Sequence, residues 1–321
     1  MQKINWHGKP YYSLDAYCKN EFQHKCYKIA LNAQMTCPNR DGHLDTRGCI
    51  FCSAGGSGDF SVLAKADTSS IKDSLAEGIT KFGGKKIGNC FIAYFQAYTN
   101  TYAPIDYLKK IYTLALEEPD VCGISIATRP DCLGEDVLNL LSSLQKEYPQ
   151  KFIWIELGLQ TIHEETAQYI RRGYELSVFY KAVTALAARA IPVIVHVIIG
   201  LPGESAKMLS ETISYLNSLP IFGIKLQLLH VLKETDLAKE YELGNMSVLT
   251  KDEYLSLLID CIETLRPDIV IHRVTGDGPK SLLIAPTWSL NKRDVLNSLH
   301  QKMKESNSYQ GKKYVERILD T

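Results

Sequence analysis

The sequence predicts an α/β fold in which parallel strands alternate with helices and form a barrel, open or closed. Short apolar runs alternate with helix-like segments along most of the chain, and we detect no internal repeat or low-complexity linker. The chain has 321 residues, of which 45% are hydrophobic. It therefore has enough apolar side chains to fill a sizeable core.

Seven segments are predicted as strands. Residues 26–31 alternate outward and inward side chains, and the other six are mostly apolar runs bounded by turn residues: 91–95, 121–127, 152–159, 192–200, 223–231 and 269–272. In barrels of parallel strands, chemistry takes place at the carboxyl ends of the strands. The residues at those ends are therefore the candidate site.

Helices are predicted between the strands, at 104–117, at 134–147, in a region split near Gly173 that runs to Ala190, at 204–219 and from Thr250 to near Pro267. Thr250 and Glu253 have the spacing of a capping box. We expect residues 1–25 to be an N-terminal extension packed on the barrel. Residues 26–290 would form the barrel core and residues 291–321 a basic C-terminal helical tail.

Charge and cysteine content limit the functional class. The 36 basic and 36 acidic side chains give zero formal net charge, so no global field attracts nucleic acid or membrane. Nine scattered cysteines indicate a reducing compartment and metal chemistry rather than a disulfide scaffold. The first residues lack the apolar core of a signal peptide, and no run reaches the ~18 apolar residues of a membrane helix. We therefore expect a cytoplasmic protein with no membrane partner.

Three cysteines in residues 36–59 have the spacing of metal ligands. Eleven residues separate Cys37 from Cys49, and two separate Cys49 from Cys52. A structural zinc site uses four protein ligands, whereas three local thiolates fit an iron-sulfur cluster with one open iron. Phe51 directly precedes Cys52, and a glycine-rich loop follows that lets backbone approach a ligand.

These residues resemble the radical S-adenosylmethionine (SAM) superfamily, whose last two cluster cysteines form a C-x-aromatic-C unit. The first gap is longer than the commonest superfamily spacing, but longer gaps occur in its Elongator-type branch. The segments TCPNRDG, CIFCSAGGSGDF, AYFQAYTNTYAP, ISIATRPDCL, ELGLQT and HRVTGDGP are similar to the YtqA/YhcC subgroup of that branch. The resemblance implies a partial, six-stranded TIM-type barrel with a 4Fe-4S cluster on Cys37, Cys49 and Cys52, and SAM as cosubstrate.

The resemblance also implies SAM contacts beside Phe51. Gln96 would meet the methionine amino group, Gln160 the ribose and Arg172 the methionine carboxylate, and the Gly200-Leu201 turn would meet adenine through its backbone. Other interpretations stay open, because Gln often satisfies backbone in turns and any strand-to-helix turn can use glycine.

Glu156, His196, His230 and Arg273 are the catalytic candidates, because they lie on or just after the later strands. An isolated histidine on an apolar strand is more often a satisfied core residue, and this alternative applies to His272 as well.

Several other residues have two interpretations. Arg129 either meets an anionic ligand through its guanidinium fork or pairs with Asp131. Arg171 is interpreted as an exposed charge at a helix end. Cys18 and Cys26 are either a fourth metal ligand or small buried thiols.

The C-terminal tail also has two interpretations. Between Lys292 and Arg317 it has seven Lys or Arg against three Asp or Glu. It is either a solvated amphipathic helix or a surface that contacts RNA phosphates.

The implied function is a radical SAM enzyme of tRNA wobble-uridine modification, converting carboxymethylaminomethyl-uridine to aminomethyl-uridine. The implied partners are tRNA, an electron donor such as flavodoxin or ferredoxin, and a downstream methyltransferase. One alternative is another RNA or a small molecule as substrate. The alternative from another class is a non-catalytic zinc or RNA-binding module, in which His43 joins Cys37, Cys49 and Cys52 on a zinc ion.

Overall fold

The structure, a computed structural model, describes residues 4–56, 58–81, 88, 90–276 and 278–315. Its strands are β1 (Tyr27–Asn32), β2 (Val62–Leu63), β3 (Phe91–Phe95), β4 (Val121–Thr128), β5 (Phe152–Gln160), β6 (Val193–Ile199), β7 (Gly223–Leu228), β8 (Val231–Leu232), β9 (Val270–Arg273) and β10 (Leu283–Ala285). Its helices are α1 (Leu14–Phe22), α2 (Thr68–Thr80), α3 (Ile105–Glu117), α4 (Glu135–Glu147), α5 (Glu164–Tyr169), α6 (Leu176–Ala187), α7 (Ala206–Asn217), α8 (Asp236–Glu242), α9 (Lys251–Thr264) and α10 (Lys292–Glu305).

Eight strands form one parallel sheet in the order β2-β1-β3-β4-β5-β6-β7-β9. Over the described ranges the sheet does not close, because β2 and β9 are its two edges. This confirms a partial barrel of parallel strands, but the expected count of six strands was wrong, because β2 and β9 extend the sheet to eight. All seven predicted strands are present, whereas β2, β8 and β10 were missed because two or three residues are too few to show a period.

The two faces of each central strand differ in chemistry. In β5, Ile153 and Ile155 point to the main apolar core under the helices. Trp154, Glu156 and Gln160 alternate with them and occupy the other face, which we call the inner face. The outer face is nearly all aliphatic because helices cover it, whereas the inner face carries the polar side chains.

The predicted helices are present, with ends within three residues of those expected. α9 begins at a capping box in which the Thr250 side chain accepts from the Glu253 backbone and the Glu253 side chain accepts from the Thr250 backbone, as predicted. The region split near Gly173 is two helices, α5 and α6, because Gly173 has a φ of +81° that ends regular structure there. Helices α1, α2 and α8 were not predicted.

Helix α1 covers the inner face at the amino-terminal ends of the strands. The ring of Tyr17 lies 5.8 Å from that of Trp154 and 4.9 Å from that of Phe222, both edge-on. This aromatic layer separates the lower inner face from solvent. None of the described helices has the length and apolar composition of a membrane span.

The basic tail forms α10 and the segment after it, and it packs on α9. Lys302 pairs with Asp252 at 3.2 Å, and Lys313 pairs with Asp260 at 2.6 Å. Lys312 and Lys313 also pair with Glu263. Part of the positive charge predicted for this tail is therefore matched by acidic side chains of α9, and Arg317 lies outside the described residues.

Candidate functional site

A cavity of about 480 Å³ opens at the carboxyl ends of the strands. Most candidate residues line it: Cys37, Cys49, Phe51, Cys52, Gln96, Glu156, Gln160, Arg172, His196, His230 and Arg273. Segments far apart in sequence thus meet at one place, because parallel strands end at the same edge of the sheet. Gly200 and Leu201 are not among the lining residues.

The loop that carries the three cysteines is fixed by the segment between α5 and α6. Asn39 Nδ2 donates to the carbonyl oxygen of Arg171 at 2.8 Å and lies 3.7 Å from Cys49 Sγ. The backbone of Ile50 donates to the carbonyl of Ile170 at 3.2 Å. Arg171 Nε donates to the carbonyl of Gly48 at 2.9 Å. These hydrogen bonds fix the position of Cys49 within the loop.

Arg40 holds the second half of the loop. Its Nη2 donates to the carbonyl oxygens of Cys52 at 2.6 Å and Ser53 at 2.8 Å. A Cβ atom at Gly48, whose φ is +77°, would lie 2.8 Å from Arg40 Nε. Glycine is required there both by the backbone conformation and by the close approach of the guanidinium.

Tyr98, which follows β3, binds the backbone of the glycine-rich segment after Cys52. Its backbone donates to the carbonyl of Gly56 at 3.0 Å, and its hydroxyl donates to the carbonyl of Ala54. A Cβ atom at Gly56 would lie 2.3 Å from the Tyr98 ring. The glycine therefore permits ring and loop to pack directly against each other.

The donor set and its surroundings fit an iron-sulfur cluster. Within the described ranges, the sulfurs of Cys37, Cys49 and Cys52 do not form a set that all lie within 4.8 Å of one another. A single ion draws its ligands to one point, whereas each thiolate of a cubane binds a different iron. Burial raises the pKa of Cys49 to about 12, and the charge of Arg129 opposes this shift.

Among the described residues that line the cavity, Gln160 and Thr99 each have a buried side-chain oxygen without a hydrogen-bond partner. Gln160 ends β5 with a φ of +68°, and its Oε1 is buried without a hydrogen bond. Gly158 lies beside it, and a Cβ atom there would stand 2.9 Å from Gln160 Nε2. An unsatisfied acceptor costs free energy, so its position in a cavity fits a ligand hydroxyl such as that of a ribose.

Arg172 has a different environment from the one expected. It is 2% exposed. Its guanidinium makes five hydrogen bonds, to Tyr174 O, Leu159 O, Thr161 O and both carboxylate oxygens of Glu164. Nη2 reaches both oxygens of the same Glu164 carboxylate, which a single N–H can serve, so these contacts do not require all five N–H donors. They hold Arg172 in the turn after β5, and its expected contact with the methionine carboxylate stays a prediction.

Two other arginines are also engaged within the protein. Arg129 forms a bidentate pair with Asp131 at 2.9 and 2.7 Å and donates to the carbonyl of Arg172 at 2.8 Å. Arg171 pairs with Asp236 of α8 at 2.7 Å. The interpretation of Arg171 as an exposed helix-end charge was wrong, because it joins the cysteine loop to α8.

The Gly200-Leu201 turn follows β6 beside the cysteine loop. Gly200 has a φ of +90°, which favours glycine. Leu201 is buried in an apolar cluster with Ile50, against which Phe51 packs. The expected adenine contact at this turn stays a prediction.

The inner face below the cavity carries a buried ionic cluster centred on Glu156. The carboxylate is fully buried and accepts from Lys28 Nζ at 2.6 Å, Ser125 Oγ at 2.6 Å and His196 Nε2 at 2.7 Å, and it also pairs with Lys225. Burial alone would raise its pKa, but the charges of Lys225 and Lys28 hold the pKa well below its usual range. Glu156 is therefore a fixed anion.

Lys28 and Lys225 were not among the candidates. Each interrupts an apolar strand, in YKIALN and GIKLQL, and this interruption was the available signal. Lys225 Nζ also donates to the hydroxyl of Tyr94 at 3.0 Å.

The three histidines occupy different environments. Burial and the charge of Lys225 lower the pKa of His196 to about 4, and burial and Lys292 lower that of His230 to about 4, so both are neutral near pH 7. His230 Nε2 is 3.0 Å from Ser289 Oγ. His272 packs edge-on against Trp154 and Phe222 and does not line the cavity, so it is a core histidine. It is not a satisfied one, because both of its ring nitrogens are buried without a hydrogen-bond partner among the described residues.

Cys18, Cys26 and His43 were the candidates for a fourth metal ligand. Cys18 and Cys26 belong to the buried cluster around Trp154, so a role as fourth ligand in the cysteine loop was wrong. His43 is exposed, with its ring 6.4 Å from that of Tyr102, and it is not grouped with the loop cysteines among the described side chains.

The sequence matches two family profiles. The Radical SAM superfamily profile covers residues 46–216, and the Radical_SAM C-terminal domain profile covers residues 221–305. The first includes Cys49 and Cys52 and begins after Cys37. These matches exclude the interpretation as a non-catalytic zinc module.

The chain is also similar to individual proteins along most of its length. It is 42% identical to YtqA of Bacillus subtilis, over 95% of this chain and 92% of that protein. It is 31% identical to YhcC of Escherichia coli, over 84% of each. A tRNA uridine(34) acetyltransferase of Methanocaldococcus jannaschii is 23% identical over 50% of this chain and 29% of that protein.

A solved structure of Methanocaldococcus infernus Elp3 has the same fold. Its TM-score is 0.64 at 14% identity, and the alignment covers 89% of this chain and 64% of that one. The family profile, the similar proteins and the three thiols that line the cavity all indicate the same family. The chain belongs to the radical SAM superfamily and is a radical SAM enzyme, whose cofactors are a 4Fe-4S cluster and SAM.

Proposed function

We propose that this enzyme acts on tRNA and removes the carboxymethyl group from carboxymethylaminomethyl-uridine at the wobble position, leaving aminomethyl-uridine. The bond between the amine nitrogen and the carboxymethyl carbon would break, and the two-carbon fragment would leave as glyoxylate with its aldehyde oxygen from water. The two electrons would be taken up by SAM as it is cleaved to methionine and 5′-deoxyadenosine. Relatives named tRNA uridine(34) acetyltransferase, which match about half of this chain, support tRNA as the substrate class. The proposal takes from them only the substrate class, because the identity is low.

The single observation that carries the choice of substrate is the charge of the inner cavity. Its lining includes the basic side chains of Lys28, Lys225, Arg273 and Lys292, and its described carboxylates are Glu156 and Asp59. Burial lowers the pKa of Lys225 and Lys292, whereas the Glu156 carboxylate opposes this shift in the pKa of Lys225. The excess of basic side chains favours a substrate group with negative charge. The carboxylate of the carboxymethyl group provides that charge.

Arg273 is the residue we assign to this carboxylate, because it lines the cavity and a guanidinium can bind a carboxylate through two parallel hydrogen bonds. Arg273 ends β9 and Lys292 begins α10, and both line the cavity.

The cofactors supply a 5′-deoxyadenosyl radical, which is chemistry that amino-acid side chains do not provide. The residues of the chain would bind the cofactors and orient the substrate. Cys37, Cys49 and Cys52 would bind the cluster, and Gln160 Oε1 would accept from a ribose hydroxyl. The aromatic layer under Trp154 closes the lower end of the inner face and excludes water.

Contact between the C-terminal tail and RNA phosphates has less support. Lys302, Lys312 and Lys313 pair with acidic residues of α9, so they would have to exchange these partners for phosphate. The expected electron donor, a flavodoxin or ferredoxin, and a downstream methyltransferase stay predictions.

The test is nucleoside analysis of tRNA from a strain that lacks this protein. We expect carboxymethylaminomethyl-uridine to accumulate and aminomethyl-uridine and its derivatives to fall. Complementation with the unaltered chain should restore the pattern, and complementation with Cys49→Ala should not. Unchanged wobble nucleosides, with SAM cleavage intact in the purified protein, would reject this substrate and leave another RNA or a small molecule.

A further inference from the structure

A second group of cysteines lies on the inner face, at the opposite ends of the strands from the cavity. Cys26 precedes β1, Cys90 precedes β3 and Cys122 lies in β4, and their three sulfurs all lie within 4.8 Å of one another. The Sγ atoms of Cys26 and Cys90 are 2.9 Å apart. The strands are neighbours in the sheet, so their first residues converge.

Helix α1 adds a fourth thiol to this group. Cys18 is 1% exposed and packs in the same buried cluster as the other three. Its sulfur is not one of the three that lie within 4.8 Å of one another, so it would have to move toward them to join the group. Three converging sulfurs with a fourth thiol buried beside them are more than a disulfide would use.

Four thiols are the donor set of a closed tetrahedral zinc site. With Zn–S bonds of ~2.3 Å, neighbouring sulfurs stand about 3.8 Å apart. The sulfurs of Cys26, Cys90 and Cys122, which all lie within 4.8 Å of one another, are close to this geometry, and Cys18 would complete it. Cys26 and Cys90 would need to separate by roughly 0.9 Å, which side-chain rotation can provide.

Two lysines act on this group through their charge. Lys28 acts on Cys18, and Lys151, whose Nζ donates to the carbonyls of Leu116 and Glu118, acts on Cys122. A zinc ion with four thiolates carries two negative charges, which two lysine cations would balance.

We propose that Cys18, Cys26, Cys90 and Cys122 bind one structural zinc ion, which fastens α1 across the amino-terminal ends of β1, β3 and β4. Binding releases the thiol protons. One existing contact would be lost, because Cys122 Sγ donates to the carbonyl of Phe91 at 3.1 Å and a thiolate has no proton to donate. The site has four protein ligands and no open position, so its role is structural.

The test separates this site from the cluster cysteines, which can also take up zinc. In a Cys37→Ala, Cys49→Ala, Cys52→Ala triple variant, purified chain equilibrated with zinc sulfate and desalted should contain about one zinc per chain by mass spectrometry. Adding Cys26→Ser and Cys90→Ser should lower this to under about 0.1 per chain. Adding Cys261→Ser instead, a buried cysteine on α9, should leave the zinc unchanged.

A second measurement on the triple variant does not require the serine variants to fold. Alkylation followed by peptide mass spectrometry should show Cys18, Cys26, Cys90 and Cys122 protected until a chelator is added. Cys261 should be protected with and without the chelator. A folded triple variant with under about 0.1 zinc per chain would overturn the proposal. So would iron in place of zinc, or a peptide with Cys26 and Cys90 joined by a disulfide.

Discussion

His196 Nε2 donates a hydrogen bond of 2.7 Å to Oε2 of Glu156, at the centre of the inner face. The histidine is neutral near pH 7, because burial and the charge of Lys225 lower its pKa to about 4. The carboxylate keeps its charge because two lysines compensate it. The pair is therefore a neutral imidazole and a carboxylate near pH 7, and the catalytic role expected for either residue stays a prediction.

Replacing Glu156 with Gln should strongly destabilise the fold. The change leaves Lys28 and Lys225 close together without their common anion. Breaking a buried ion pair from one side costs about 3–5 kcal/mol. We expect a loss of this order in the free energy of unfolding, measured by urea denaturation.

Glu135→Gln is the matched control, because Glu135 pairs with Arg189 with 70% of its side chain exposed. That change should cost at most about 1 kcal/mol. If Glu156→Gln and Glu135→Gln lower the free energy of unfolding by the same small amount, the ionic cluster contributes little to stability.

Stability should fall with acid because of buried neutral histidines. Burial and Lys292 lower the pKa of His230 from 6.5 to about 4 in the folded protein. As the pH falls below 6.5, the unfolded chain therefore takes up a proton before the folded chain does. The stabilisation from a neutral His230 is complete above about pH 6.5 and is lost as the pH approaches 4.

His230→Gln should reduce this pH dependence by on the order of 2–3 kcal/mol between pH 7.5 and 4. Urea midpoints at a series of pH values measure it. His43→Gln, at an exposed position, serves as the control and should follow the unaltered protein. If the urea midpoints of the unaltered protein and of His230→Gln change with pH in parallel, the pKa of His230 is not lowered in the folded protein.

Cys37 should be as necessary for the cluster as Cys49. It lies outside the matched superfamily range, yet it lines the same cavity. We expect anaerobically reconstituted protein to hold about four irons per chain, and Cys37→Ala and Cys49→Ala to lose most of them and SAM cleavage. Cys132→Ala should retain them, because Cys132 is not among the cavity-lining residues. Full iron in Cys37→Ala would remove this residue from the ligand set.

Arg273→Ala should weaken substrate recognition. Losing one hydrogen bond between charged groups costs about 1.5–3 kcal/mol, so kcat/KM for tRNA should fall about tenfold to a hundredfold. Arg273→Lys keeps the charge and should recover part of the loss. Lys302→Ala on α10, which removes a cation paired with Asp252, should have little effect. An equal loss in Arg273→Ala and Lys302→Ala would argue against a specific anion contact.

The sequence by itself determined the strand and helix pattern and the cysteine loop. Strands and helices follow from local periods of side-chain chemistry, as in FIAYF and in the capping box from Thr250 to Glu253. Cys37, Cys49 and Cys52 are close in the chain, so their spacing alone indicated a common site. Gln96, Glu156 and Gln160 could be placed at one edge because parallel strands end together.

Only the tertiary structure decided which distant side chains meet. Lys28 of β1 and Lys225 of β7 reach Glu156 of β5 across the inner face, and the pairing register and curvature of the sheet bring them together. The same holds for Cys18, Cys26, Cys90 and Cys122, which come from separate segments of the chain. Arg172 also needed the structure, because five hydrogen bonds within the fold engage its guanidinium. Such contacts depend on long-range packing, which local sequence patterns do not encode.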